Sequence, residues 1–159
     1  MDMMIGPAKE DDWDWISQQH AQTAWESLSP ERQSEVSVDD VASKIADQVA
    51  KSREQHGVTN QVFVAFDSTG NRNGFVWVDQ ILSGFTGKTQ AYILDVVVLK
   101  EYRRKGIGRM LMAEAEAWAK RNGFDYIGLN VSSRNEAAIA LYREEGFEIE
   151  TFRMWKKIG

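Results

Sequence analysis

The segment Arg103-Arg104-Lys105-Gly106-Ile107-Gly108 gathers three cations and two glycines. It follows an apolar stretch, 90–99, that reads as a strand. It precedes a pattern in which Ile107, Leu111, Ala115 and Trp118 share one face of a helix. A helix start offers unpaired N–H groups and the positive end of the helix dipole, so it receives a phosphate readily. Glycine lets the backbone approach an anion with no Cβ in the way. Arg103, Arg104, Lys105 and Arg109 add full charges beside those donors. Alone, such a charge run would be a solvated turn; followed by the glycine pair and a helix start, it is a candidate phosphate cradle.

Two kinds of nucleotide loop can be compared with it. The string of a triphosphatase loop, Gly, four residues, Gly-Lys and then Ser or Thr, is absent. A dinucleotide-binding unit fits in part, because Gly106 and Gly108 follow a strand and Asp125 lies about twenty residues on. Leu111 occupies the place of the third small residue, and several residues separate the strand from Gly106. Asp125 also begins the next strand where a ribose-binding acid should end one.

Other chemistry-bearing residues stand on the neighbouring elements. Asp95 interrupts an apolar strand, and simple alternation puts it on the face of Ile93 and Val97, where an acid needs a partner or a purpose. Asn135 heads a helical pattern, 136–145, as an N-cap worth about 1 kcal/mol. Tyr142 lies in that pattern, and by spacing alone it is a core aromatic. Water, Asp79 or Glu136 is the alternative candidate for relaying a proton. His20 and His56 are isolated, lack metal-ligand spacing and receive no role.

The elements that must hold these residues follow from periodicity. Acids at 10–14 suit the start of a helix over 12–28, and Pro30 marks a break and restart. A second helix follows Asp39, carries Val41, Ile45 and Val49 on one stripe and ends near Gly57. Strands are predicted over 61–67, 74–82 and 90–99, joined by turn-rich 68–71 and 83–87, which makes an antiparallel meander. A helix over 107–122 ends at Gly123. A strand over 125–131 completes a right-handed crossover and lies parallel to 90–99. A closing hairpin is expected over 147–158.

A chain of 159 residues with 43% hydrophobic and 27% charged residues suits one domain, 1–159, with one core. No basic leader or long apolar span is present, so neither secretion nor a membrane partner is expected. With no cysteine, disulfides and a cysteine acyl-enzyme are excluded by composition, and the cytoplasm is the expected compartment. A net charge of −5 argues against nucleic acid as a partner and is compatible with a cationic substrate.

The motif Arg103-x-x-Gly106-x-Gly108, embedded in 95–108 (DVVVLKEYRRKGIG), resembles the pyrophosphate-binding motif of the GNAT N-acetyltransferases. The segment 135–147 (NEAAIALYREEGF) is similar to that family's second element, at the customary distance. Together the matches cover about 92–156. The resemblance implies a three-layer α/β/α fold around a mixed sheet, antiparallel in its N-terminal strands, with one parallel pair splayed open at the coenzyme site. It implies direct acetyl transfer from acetyl-coenzyme A to a primary amine of a small molecule or peptide, with no metal. Backbone groups of Val96, Val97 and Val98 would pair with the pantetheine arm, and 103–109 would hold the pyrophosphate. Asn135 would also touch the coenzyme, and Tyr142 would protonate the departing sulfur.

Relatives acting on polyamines have an acid at the position of Asp95, but they also have one at the position held here by Leu94. Asp95 is therefore a catalytic candidate whose alternative is a structural acid. The coenzyme part is expected over about 90–146 and an acceptor wall over about 11–56, with Trp13, Trp15, Trp25 and Trp77 lining it or packing in the core. Gly128 marks either close approach or ordinary packing. A homodimer is compatible with the family. The competing functions are a non-catalytic acyl-coenzyme A-binding protein and a dinucleotide-dependent oxidoreductase.

Overall fold

The computed structural model describes residues 2–159. Its five strands are β1 (Met3–Pro7), β2 (Gln61–Asp67), β3 (Arg72–Leu82), β4 (Thr89–Val98) and β5 (Ile127–Leu129), and they lie in that order across one sheet. The first four are antiparallel to their neighbours, and β5 runs parallel to β4. The meander arises because β-branched and aromatic residues alternate on both faces of β2 to β4, and each face is covered.

One face packs against α1 (Trp13–Ser27) and α3 (Val38–Glu54). Ile16, Ile45, Val49, Val62, Val64, Phe75 and Trp77 form the core there. The other face packs against α4 (Ile107–Arg121), which brings Ile107, Leu111, Met112, Ala115 and Trp118 onto Val76, Val78, Ala91 and Ile93. A short α2 (Pro30–Gln33) restarts the chain after α1, capped by the Ser29 hydroxyl. The final helix, α5 (Glu136–Glu144), meets the first turn of α4 through Leu141 near Gly108 and the Arg109–Glu144 pair. This is the expected mixed sheet between two helical layers.

Asn60, fully buried, joins the α3 side of the core. Its side-chain nitrogen donates to the Ser52 carbonyl at 2.9 Å, and its oxygen accepts from the Trp77 indole at 3.2 Å. Trp13 and Trp77 are core residues at 5% and 2% exposure, so the packing alternative holds for both. Trp15 sits edge-on against Phe75.

Several expectations need correction. The short start 3–7 is a strand, which five residues could not announce. Helix α3 begins at Val38, before Asp39, because Ser37 and Asp40 cap each other's backbone. The strand over 125–131 shrinks to three residues. The closing hairpin over 147–158 does not form. That segment has neither helix nor strand, and Phe152, Met154 and Trp155 are largely exposed. Its partners are on α2 and just beyond it instead: Arg32 stands 5.0 Å over the Trp155 ring, and Lys157 Nζ lies 3.6 Å from Glu31 and from Glu35.

The face of Asp95 is also corrected. The register with β3 pairs Val78 with Ile93 and Trp77 with Asp95, so Leu94 is an extra residue. This bulge reverses the alternation. Ile93 packs on the α4 side, whereas Val97 packs on the α1 side and Asp95 meets a side chain of α1.

Candidate active site

The basic loop is shaped by backbone left-handed at two places. Arg104 has φ 61° and Gly106 has φ 82°, with Gly106 as the N-cap of α4. No side chain caps that helix start, and a Cβ added at Gly106 would meet open space. The first N–H groups of α4, among them those of Ile107 and Gly108, are thus left for a ligand. Gly108 has a second use, since a Cβ there would stand 3.1 Å from Leu141 Cδ2, so that side chain of α5 would have to give way.

The four cations are not equivalent. Arg103 donates from Nε to the Val98 carbonyl at 3.0 Å, and Lys105 Nζ stands 5.4 Å over the Tyr102 ring. Arg104 holds the left-handed bend between them. Arg109 turns to α5, where it pairs with Glu144 and, at 3.9 Å, with Glu145.

The parallel pairing of β4 with β5 runs only from Ala91/Ile127 to Ile93/Leu129. Residues 94–98 therefore leave one edge of β4 open. The Leu99 N–H donates to the Asn73 carbonyl at 2.8 Å, which fixes the phase of the antiparallel ladder. Asp95 and Val97 direct their backbone groups to β3, and Val96 and Val98 direct theirs to the gap. Of the three expected strand contacts, Val97 is thus placed with its backbone turned away.

Asp95 is 7% exposed, and its Oδ2 lies 2.7 Å from His20 Nδ1, a residue of α1. The His20 ring stands edge-on to Trp77 with centroids 5.4 Å apart. Across the gap, Tyr142 packs against Phe147 and the α4-side core. Burial first, and then the Asp95 charge, push its hydroxyl up to about 12. Asn135 caps α5 by accepting the Ala138 N–H at 3.1 Å, so its capping role is filled.

Asp79, on the Trp77 face of β3, has its carboxyl raised by burial, opposed by the Gln80 N–H it accepts. Glu136 opens α5 at its exposed first turn. His56 accepts the Val62 N–H through Nε2 at 3.0 Å, and burial lowers its basicity. Between α1 and the end of β4 lies a pocket of about 260 Å³, lined by Gln19, Gln22, Thr23, Glu26, Val97 and Arg103 among others.

Sequence reasoning missed His20, whose partner is 75 residues away, and Gly74. A Cβ on Gly74 would strike the Val97 carbonyl oxygen and stand 3.2 Å from Val98 Cα, so β3 and β4 can close there only over a glycine. At Gly128 a Cβ would meet Tyr92 at 3.7 Å, which is ordinary contact. Among the described residues no group of His, Cys, Asp or Glu is arranged to hold a metal, and no helix is long and apolar enough to cross a membrane.

A glycine-bent basic loop feeds a helix start next to a strand edge opened at a parallel pair, which together can receive an anionic, extended ligand. The chain belongs to the Acetyltransferase (GNAT) family, which residues 19–147 match. Its structure superposes on a putative acetyl transferase from Pyrococcus furiosus with a TM-score of 0.81, over 99% of this chain and 100% of that one, at 26% identity.

It is 34% identical over 94 residues to a streptothricin acetyltransferase of Streptomyces lavendulae, covering 59% of this chain and 48% of that protein. It is 44% identical over 57 residues to GCN5-related N-acetyltransferase 4, chloroplastic, of Arabidopsis thaliana, covering 36% of this chain and 20% of that protein. The chain spans less than half the length of these curated relatives.

Proposed function

We propose that this protein transfers acetyl from acetyl-coenzyme A directly to a primary amine of a small molecule or peptide. The observation that carries the reading is the left-handed turn at Arg104 and Gly106 delivering uncapped N–H groups of α4 beside the open edge of β4. Acetyl-coenzyme A fits these residues and would supply the acetyl thioester. Ile107, Gly108 and the Arg103–Lys105 charges would hold its pyrophosphate. The outward backbone groups of Val96 and Val98 would take the pantetheine amides as an added strand. Tyr142 would donate a hydrogen bond to the departing sulfur.

A small cationic amine suits the acceptor side, where Glu26 lines the pocket and Asp79 and Asp95 share one sheet face. The streptothricin acetyltransferases of Streptomyces lavendulae and Bacillus subtilis, similar over 59% and 37% of this chain, support that class. The cytoplasm remains the compartment to which a cysteine-free composition points.

Two measurements test the reading. Calorimetric titration of Gly106→Val is expected to lose acetyl-coenzyme A binding while the variant stays folded, because a β-branched residue resists positive φ. Unchanged affinity refutes the cradle. Thiol release over a panel of amines separates an enzyme from a non-catalytic coenzyme-binding protein. Thermal shifts with NAD and with acetyl-coenzyme A separate the oxidoreductase, since a ligand at a hundredfold excess over Kd stabilises by about 2.7 kcal/mol.

A further inference from the structure

We infer that His20 takes the proton from the acceptor amine and that Asp95 is its positioning residue. The inference rests on the acetyltransferase reading above and names the proton acceptor which that reading leaves open. The Leu94 bulge turns the Asp95 carboxylate toward α1, where it meets His20 Nδ1 at 2.7 Å. A carboxylate in that place accepts the Nδ1 hydrogen and fixes the neutral ring as the Nδ1–H tautomer. The lone pair then sits on Nε2.

Among the described residues Nε2 has no hydrogen-bond partner, and no polar side-chain atom is both fully buried and unpaired. Nε2 therefore reaches solvent, and the His20 side chain is 17% exposed. His20 keeps Nε2 open beside Asp95, which lies two residues beyond the last β4–β5 pair, Ile93 with Leu129.

The neighbouring wall agrees. Gln19 and Thr23, which flank His20 on α1, line the pocket with Val97. Trp77 holds the ring edge-on from β3. Asp95 of β4 is in contact with it, Asp79 lies two residues beyond Trp77 on the same face of β3, Glu26 lines the pocket with Gln19 and Thr23, and the Asp95 charge acts also on Tyr142 of α5. Residues 16, 17, 23 and 24, one turn away on α1, carry no charge.

In the transfer step the amine nitrogen bonds to the acetyl carbon as the carbon–sulfur bond breaks. His20 Nε2 takes the proton that nitrogen loses. Tyr142 holds the sulfur by a hydrogen bond, and the thiolate collects a proton from water on release. His20 returns its own proton to solvent, so one amide and one thiol are formed from one amine and one thioester.

Wild type, His20→Asn, His20→Gln and Asp95→Asn are compared for thiol release across pH, for acetyl-coenzyme A affinity and for the tautomer of each histidine by long-range proton–nitrogen correlation. The chain has two histidines, so His20→Asn assigns both. Removing a positioned base costs about 100- to 10,000-fold. His20→Asn is expected to lose that much kcat/KM, lose the acidic limb of the pH profile and bind acetyl-coenzyme A normally. Wild-type His20 should carry its hydrogen on Nδ1, and Asp95→Asn should shift it toward Nε2.

Turnover of His20→Asn within threefold of wild type, with the acidic limb retained, overturns the assignment, as does an Nε2–H tautomer in wild type. If neither His20 variant folds, the wild-type tautomer decides. A wild type that binds acetyl-coenzyme A but releases no thiol with any amine overturns the transferase reading, and His20 falls with it.

Discussion

At Tyr142 the surroundings oppose the simplest role for a phenol. A hydroxyl at about 12 facing a thiol near 8.5 would lose about 5 kcal/mol by giving up its proton. It can still hold the sulfur, and a hydrogen bond to a charged partner contributes about 1.5–3 kcal/mol. Tyr142→Phe is therefore expected to lower kcat about 10- to 100-fold while the affinity for acetyl-coenzyme A is kept. Steady-state kinetics and titration of the variant check this, and unchanged turnover at saturation removes Tyr142 from the mechanism.

The same shift has a consequence for stability. The folded state holds the Tyr142 proton up to about pH 12, whereas the unfolded chain releases it near pH 10. Between those values the unfolded state binds fewer protons, so stability falls as pH rises. Wild type should lose about 2–3 kcal/mol more than Tyr142→Phe across that window, read from urea midpoints. Equal losses would mean the hydroxyl is not desolvated. The cap at Asn135 and the glycine pair at the start of α4 were legible because each is defined by neighbours a few residues away. His20 was not, because its meeting with Asp95 depends on a bulge that alternation hides.

The elements are tuned by which glycines are required. Gly74 lies where β3 passes against Val97 and Val98, and an added Cβ has no room beside their backbone. Overpacking of this kind costs about 1–3 kcal/mol. Gly74→Ala is expected to lower unfolding free energy by at least about 2 kcal/mol and to weaken acetyl-coenzyme A binding, since β4 must shift. Gly128→Ala, with ordinary contact at 3.7 Å, should change stability by less than about 0.5 kcal/mol. Equal effects in chemical denaturation would remove the special role of Gly74.

The long elements were readable because period and turn chemistry agree over many residues, as in β3 and α4. The short β1 carries too few residues to show a period. Residues 147–158 have strand-like composition, yet Trp155 and Lys157 find their partners on α2. Composition there does not say which surface the segment meets.

For the whole molecule the question is how a protein of net charge −5 holds a polyanion. The acids are spread over the surface, whereas Arg103, Arg104 and Lys105 are adjacent to the N-terminus of α4. At about 0.1 M salt the Debye length is about 10 Å, so distant acids are already screened from a ligand in the cradle. The nearby cations are not. Adding salt up to about 1 M shortens that length to about 3 Å and weakens chiefly the short-range attraction. Acetyl-coenzyme A affinity should thus fall with ionic strength despite the repulsive sign of the whole. Arg104→Ala should flatten that dependence, while Arg109→Ala should leave most of it, because Arg109 already faces Glu144 and Glu145. Titrations over a salt series decide. An affinity that rises with salt, or an equal flattening by both variants, would mean that the body's charge and not the loop governs binding.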